Sequence, residues 1–332
     1  MKILKNTKVL ITGGGGFIAS HLTKRLLEEG AKIFVLTKYG CVIDNIRLVN
    51  IWDKVKIIES DLRNPDSLKK VKLIKPDIIY HFAAYNHVGD SFDNVSEAID
   101  VNSKGTVNLL DAYEDYKRFI YISSSEIYGH QSSVPFHEEL KPSPISPYAV
   151  GKYSGELYAR MKYLVYKRPI VILRPFNAFG PFQSPRAIIA EIIIKCLKGE
   201  DIVTTEGIQT RDFNYVENLI DGFLLASSVK KAVGEIINIG SGKEISIKEL
   251  VKKIHKLADS KSKLCIGKMP YRPTEIWRMA ASNKKASKLL GWRQKISFEE
   301  GLLRTINWYQ KFKYLFEDKN SPLFQLCQKK II

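Results

Sequence analysis

Apolar and polar positions alternate along this chain in two rhythms. Short runs rich in β-branched and other apolar residues, over 8–12, 32–36, 55–58, 77–82, 118–123 and 169–174, read as strands. Pro76 announces the fourth of them. Between them lie stretches of helical period over 18–29, 96–116 and 147–166, with Ser96 placed as a candidate N-cap. Strands separated by helices of this length predict an α/β fold, a parallel sheet with right-handed crossovers. After Arg174 the pattern loses regularity and gains Pro and Gly, which predicts a smaller substrate-binding lobe. A strand over 236–239 can rejoin the large sheet, and 289–292 and 298–309 read as closing elements. The expected division is 1–178 (with 212–241 rejoining it), a lobe over 179–318, and a tail over 319–332. No repeat or low-complexity linker interrupts the chain.

The first strand runs into the densest signal in the sequence. Val9-Leu10-Ile11-Thr12-Gly13-Gly14-Gly15-Gly16-Phe17-Ile18-Ala19 passes from an apolar run through a glycine knot into a helical pattern. That is strand, tight turn and helix N-terminus, the site of a dinucleotide pyrophosphate in a Rossmann-type doubly wound sheet. Gly13 permits the turn, and Gly16 lets backbone N–H groups approach the phosphates. Ala19, where a third glycine is usual, still allows close helix–strand packing. A bare glycine-rich turn is the bland alternative, and the flanking strand and helix argue against it.

Two further clusters carry chemistry. Tyr148 and Lys152 lie four residues apart at the start of a predicted helix, on one face. A nearby ammonium and an oxidised nicotinamide both favour a phenolate, so Tyr148 can take a proton from a sugar hydroxyl. Ser123-Ser124-Ser125-Glu126 follows a predicted strand, and strand C-termini face the ligand crevice in an open α/β sheet. Ser124 can hydrogen-bond the same hydroxyl, and Glu126 suits acid–base work at a neighbouring carbon. The competing reading of this run is a polar turn that caps a helix.

Composition narrows the class. The chain has 332 residues, 45% hydrophobic, enough for one large or two intimate domains. No apolar stretch reaches transmembrane length, and the few residues before the first strand are too short for a signal peptide. Cys41, Cys196, Cys265 and Cys327 are scattered without metal or disulfide spacing, which fits a reduced cytoplasm. His21, His81, His87, His130, His137 and His255 show no metal spacing either, and His21 falls in a helix–sheet packing segment. The net charge of +17 invites a nucleic-acid reading. Its lysines are spread rather than blocked with aromatics, so a lysine-rich surface that attracts anionic nucleotides is preferred, with neither nucleic acid nor membrane as partner.

Taken together, the Thr-Gly-Gly-x-Gly-Phe-Ile segment, Ser123 through Gly129, Tyr148/Lys152 and Arg174-Pro175-Phe176-Asn177-Ala178-Phe179-Gly180-Pro181 resemble the extended short-chain dehydrogenase/reductase family. This is the NAD-dependent epimerase/dehydratase group that acts on nucleotide sugars. The likeness runs over about 8–310; Thr210 through Val216, Arg272-Pro273 through Arg278, Leu290-Gly291-Trp292 and Glu300-Gly301-Leu302 match its later motifs. Ser125-Glu126 after the catalytic serine resembles the 4,6-dehydratases for GDP-mannose, dTDP-glucose and UDP-N-acetylglucosamine; UDP-glucuronate decarboxylases also carry Ser-Glu there. Ala83-Ala84-Tyr85-Asn86-His87-Val88 is similar to the first two, and Gln183 through Ile189 to the third.

The resemblance implies oxidation at C4 with Tyr148 removing the hydroxyl proton. Glu126 then removes the C5 proton, water leaves from C6, and hydride returns to C6. The dinucleotide is recycled and stays bound. The dTDP-glucose enzymes place an aspartate as acid where this chain has Ser125, so Glu126 is expected to serve as base and acid. Position 37, 21 residues past Gly16, holds Thr37 followed by Lys38 instead of an acidic residue. That favours NADP over NAD. By resemblance Asp61 and Leu62 border the adenine, and Asn102, Ala83 and Ala84 lie near the cofactor. His87, Asn177, Arg186, Arg211 and Arg278 are expected at the substrate, the arginines on its diphosphate or nucleotide. A homodimer through the two long helices is likewise implied. The alternatives are a 4-epimerase or a glucuronate decarboxylase on the same scaffold, and a non-catalytic cofactor-bound regulator.

Overall fold

The computed structural model describes residues 4–38, 46–271 and 274–317. Cys41, Cys327, Arg272, Pro273 and the expected tail over 319–332 lie outside the described residues. Six strands form first along the chain: β1 (Lys8–Thr12), β2 (Lys32–Thr37), β3 (Lys56–Glu59), β4 (Ile78–His81), β5 (Arg118–Ile122) and β6 (Ile170–Pro175). Shorter pieces follow: β7 (Ala178–Phe179), β8 (Ile202–Thr204), β9 (Thr210–Arg211) and β10 (Asn214–Tyr215). Then come β11 (Ile236–Ile239), β12 (Ile245–Ser246) and β13 (Leu264–Ile266). Seven of these make one sheet in the order β11-β6-β5-β4-β1-β2-β3, and every pair in it is parallel. This is the Rossmann-type α/β sheet, and 236–239 does rejoin it as its outer strand.

The strands carry nearly unbroken apolar runs because helices cover both faces of the sheet. Alternate residues feed opposite cores. Val9, Ile11, Tyr80, Ile120 and Val171 pack on the side of the helices Phe17–Glu28 and Val216–Ser228. Leu10, Ile79, Phe119 and Ile172 pack on the side of Gly105–Ala112 and Pro147–Tyr166. Ser146 caps the latter helix on the Ala149 N–H, with Pro147 in its first turn. A separate core joins the helices Ile188–Lys198, Ile247–Leu257 and Phe298–Lys311 through Ile193, Leu250, Ile254, Leu302 and Tyr309. Trp292, from the expected closing element over 289–292, is buried in the first core, where its indole N–H donates to the Asn218 carbonyl at 2.9 Å.

The structure corrects one long element. The helix expected over 96–116 starts at Val95 behind Asn94, so Ser96 is not its cap, and it closes at Ala112. Tyr113 turns extended, and Tyr116 enters the core beyond it. Midway, Asp100–Lys104 opens into a π-turn. Such a turn inserts a residue into the helix and commonly marks a functional site. Here it faces the helix Pro147–Tyr166 where glycines bring the two backbones together: a Cβ on Gly151 would stand 2.9 Å from Asn102 Cβ.

Candidate active site

The glycine turn closes on its neighbours. Gly13 adopts φ +65°, and a Cβ there would stand 2.9 Å from Ala83 Cα. A Cβ on Gly14 would meet Val35 at 2.8 Å. The helix that follows has no side-chain cap and no acidic residue in its first turn, so its free N–H groups are open to an anion. A dinucleotide pyrophosphate fits this cradle because no side chain fills it. The cradle forms one wall of a cavity of about 330 Å³ that Gly13, Gly16, Phe17, Ile18, Ala84, Asn86, Ser124, Ser125, Glu126, Tyr148, Lys152 and Asn177 line.

Residues from distant parts of the chain thus meet at the C-terminal edge of the sheet. Ser124 Oγ accepts the Glu126 N–H at 3.2 Å and caps the short 3₁₀ turn Ser125–Tyr128. The capping role read from the sequence is therefore real and does not exclude chemistry, because the Ser124 hydroxyl also stands near enough to Tyr148 to favour its phenolate. Desolvation pushes the Tyr148 hydroxyl up to about 12; the nearby Ser124 hydroxyl opposes this and the Glu126 charge adds to it. Burial lowers Lys152 to about 7, with Glu156 opposing. Its ammonium lies 4.7 Å from the centre of the Tyr121 ring. The chain's own groups thus hold Tyr148 as a phenol at neutral pH.

Lys152 also sets a stability trend. Its folded pKa is depressed, so between pH 7 and 10.5 the unfolded chain binds the extra proton and stability rises with pH. Below that window both states carry the charge and the full burial cost remains. Lys152→Met should therefore raise the melting temperature by about 2 °C or more at pH 6. The gain should fade towards pH 10.5. Thermal melts across that range check it; a destabilised variant at pH 6 would refute it.

A second cavity of about 420 Å³ opens outward over the lobe. It shares Val88, Asn177 and Ala178 with the first. His87, Arg186 and Arg211 line it. Arg186 is held in a two-pronged bond with Asp90 at 2.7 and 2.8 Å, and His87 Nδ1 accepts the Asp90 N–H at 3.1 Å. Arg211 donates to the Ile276 carbonyl at 2.6 Å and pairs with Glu275. Asn177 Oδ1 and Gln209 Oε1 are buried without a hydrogen-bond partner. Arg278 is not brought to this cleft; it is exposed on the lobe surface, where it pairs with Glu244.

The residues expected around the adenosine form a charged rim beyond β2 and β3. Thr37 is buried and Lys38 is exposed, 3.6 Å from Glu97. Arg63 reaches Glu97 at 3.5 Å and grips Asp61 at 2.6 Å, which holds the Asp61 carboxyl below its ordinary range. Leu62 is buried. Asn102 lines neither cavity. Its amide clamps the Tyr85 peptide, accepting the N–H at 2.7 Å and donating to the carbonyl at 3.0 Å. It therefore acts through the loop that follows Ala83 and Ala84. His21 is a packing residue: its Nε2 lies 2.9 Å from the Pro181 carbonyl, and burial lowers it to about 4.

The model for GDP-mannose 4,6 dehydratase matches residues 10–305. The chain belongs to this family, within the NAD-dependent epimerase/dehydratase group of short-chain dehydrogenases/reductases. The dTDP-D-glucose 4,6-dehydratase of Homo sapiens is 32% identical over 323 residues, covering 92% of this chain and 90% of that protein. Among solved structures, the dTDP-glucose 4,6-dehydratase DesIV of Streptomyces venezuelae, with NAD bound, is 28% identical. It superposes with a TM-score of 0.86 over 92% of this chain and 98% of that one. The UDP-glucuronic acid 4-epimerase of Bacillus cereus, in complex with UDP-glucuronic acid and NAD, is 30% identical with a TM-score of 0.85 over 92% and 99%. Dehydratases and epimerases thus stand equally near.

Membership in the epimerase/dehydratase group makes the chain an NAD-dependent enzyme type. Two cleft residues and one that braces the cleft carry no signal along the chain. Asp90 orients Arg186, Gln209 offers a buried acceptor, and Glu275 holds Arg211. Only the fold brings them together, since Asp90 and Arg186 are 96 residues apart. Among the described residues, no cluster of His, Cys, Asp or Glu can hold a metal, and no helix is long and apolar enough to cross a membrane.

Proposed function

We propose that this enzyme is a nucleotide-sugar 4,6-dehydratase that forms a 4-keto-6-deoxy nucleotide sugar. One observation carries the reading: Glu126 lines the same cavity as Tyr148 and Lys152, with its charge acting on Tyr148. An epimerase needs one proton acceptor at C4, whereas water elimination needs a second acid–base group at C5 and C6. Glu126 is placed for that second task, with Ser125 beside it in place of an acid. A dinucleotide held by Gly13, Gly16 and the N-terminus of the helix Phe17–Glu28 would supply the hydride chemistry, removal at C4 and return at C6. Tyr148 is a phenol in the chain alone; a positively charged nicotinamide would favour its phenolate, which takes the C4 hydroxyl proton under the steer of Ser124. Glu126 takes the C5 proton and supplies one to the departing C6 hydroxyl, and C5 is reprotonated at the end. The protons balance, because the one lost at C4–OH equals the one that leaves in water.

The test is mass spectrometry of the purified protein with a panel of nucleotide hexoses. Loss of one water from a single member, with solvent deuterium entering at C5, supports the dehydratase. Unchanged mass with a new stereocentre refutes it and selects the 4-epimerase. The glucuronate readings, epimerase or decarboxylase, draw on the basic groups of the outer cavity, Arg186, Lys195 and Arg211, one of which a carboxylate needs. Carbon dioxide release would select the decarboxylase. A cofactor-bound regulator would change no member of the panel.

The preference for NADP over NAD rests on Thr37 and Lys38. Lys38 and Arg63 share Glu97, so removing its charge frees Lys38 for a 2′-phosphate while Arg63 stays on Asp61. Glu97→Gln should tighten NADP relative to NAD by about fivefold, the size of a surface charge pair. Calorimetric titration with both dinucleotides measures it, and an unchanged ratio would place the 2′ position away from this rim. A homodimer is supported by Val95, Val150, Leu157 and Leu164, exposed apolar residues on the two long helices. Light scattering should return twice the chain's mass. A cytoplasmic, soluble enzyme is consistent with this reading.

A further inference from the structure

One buried imidazole joins the phosphate cradle to the helix that carries Tyr148. His81 ends β4, fully buried. Its Nδ1 lies 2.7 Å from Thr12 Oγ1, and its Nε2 lies 3.0 Å from Thr106 Oγ1. The protons of this chain can be assigned. Thr106 donates to the Asn102 carbonyl at 2.7 Å, an oxygen that can only accept. Thr106 Oγ1 therefore has only lone pairs to offer His81, so Nε2 carries the hydrogen. Nδ1 is then an acceptor and receives the Thr12 hydroxyl proton. Thr12 Oγ1 in turn accepts the Ala83 N–H at 3.1 Å. Every bond runs one way, from Thr12 through His81 and Thr106 to the Asn102 carbonyl.

Both ends of this relay bear on the site. The Thr12–Ala83 bond lies beside Gly13, where a Cβ would stand 2.9 Å from Ala83 Cα. The Asn102 carbonyl sits in the π-turn, 2.7 Å from where a Gly155 Cβ would stand, and Thr106 Oγ1 is 2.9 Å from the same point. Gly151 and Gly155 flank Lys152 on its helix, and the Tyr121 hydroxyl donates to the Lys152 carbonyl at 2.8 Å. The Asn102 side chain meanwhile holds Tyr85, in the loop that leads to His87.

We propose that His81, as the neutral Nε2–H tautomer, is a positioning residue that fixes the spacing between the dinucleotide cradle and the Tyr148–Lys152 helix. The proposal rests on the catalytic roles given above for Tyr148 and Lys152. Burial, with the Lys152 charge adding to it, keeps the imidazole well below its ordinary pKa, as a neutral relay requires.

The relay makes separable predictions at its two ends. Thr106→Val, nearly isosteric, strips the bond to the π-turn. It should lower turnover by about 100-fold, the cost of a small misplacement of reacting groups. KM for the nucleotide sugar and NAD affinity should stay as in the parent, and Thr106→Ser, which keeps the hydroxyl, should restore turnover. Thr12→Val should weaken NAD by about tenfold, near 1.4 kcal/mol, with turnover retained at saturating NAD. Unaltered turnover in Thr106→Val, or an equal loss in Thr106→Ser, would overturn the proposal. Nitrogen-15 spectra of the imidazole test it without turnover: Nε2–H at neutral pH supports it, and Nδ1–H or a doubly protonated ring refutes it. Should the parent enzyme act on no nucleotide sugar, the functional reading falls while the tautomer and the NAD affinities still decide the relay.

Discussion

Tyr148→Phe should abolish turnover almost completely. The substitution removes one hydroxyl and leaves a ring of the same shape in the cavity wall. Positioned proton transfer contributes about 10²–10⁴-fold, and here no other group stands in for it. Ser124 has its Oγ engaged with the Glu126 N–H, and Lys152 sits over the Tyr121 ring. NAD affinity should survive, since the cradle is built from Gly13, Gly16 and the helix N-terminus. The pH profile adds a second signature. Lys152, lowered to about 7, should give the free enzyme a limb near neutrality. Rapid-quench turnover with parallel NAD titration measures both, and a variant within tenfold of the parent would remove Tyr148 from the chemistry.

Glu126→Gln should separate the reaction into its halves. The C4 oxidation depends on Tyr148, so reduction of the bound dinucleotide on mixing with substrate should persist. Exchange of the C5 hydrogen with solvent should stop, and with it loss of water, a drop of about 10²–10⁴-fold. Removing the Glu126 charge also relieves part of the upward push on Tyr148. The first half-reaction should accordingly be no slower than in the parent. Stopped-flow absorbance follows that half, and proton NMR in deuterium oxide follows the second. Normal C5 exchange in the variant would show that another group works at C5 and would leave Ser125-Glu126 as a capping turn only.

The local pattern of this chain already specifies much of the architecture. Runs such as Val9–Ile11 and Phe119–Ile122 are apolar at every position because both faces of a parallel sheet are covered, so they read as strands without tertiary information. The helix Pro147–Tyr166 matches its expected bounds because Ser146 and Pro147 are local start signals. The helix expected over 96–116 fails where tertiary contact intervenes. Nothing in Asp100–Lys104 announces a π-turn; it follows from packing against Gly151 and Gly155.

The candidate site divides along the same line. The glycine turn, Ser124, Glu126, Tyr148 and Lys152 are legible because each sits in a short motif whose spacing is itself the chemistry. The partners that set their charge states are not. Whether Arg186 is free or gripped by Asp90, whether Arg278 faces the cleft or Glu244, and which tautomer His81 adopts depend on residues far apart in the chain. Sequence by itself determined the sheet, the cradle and the candidate reacting groups, since these are set by period, turn chemistry and residue type. The tertiary structure alone decided pairing, burial and protonation, because desolvation and hydrogen bonding arise only once distant segments are packed together.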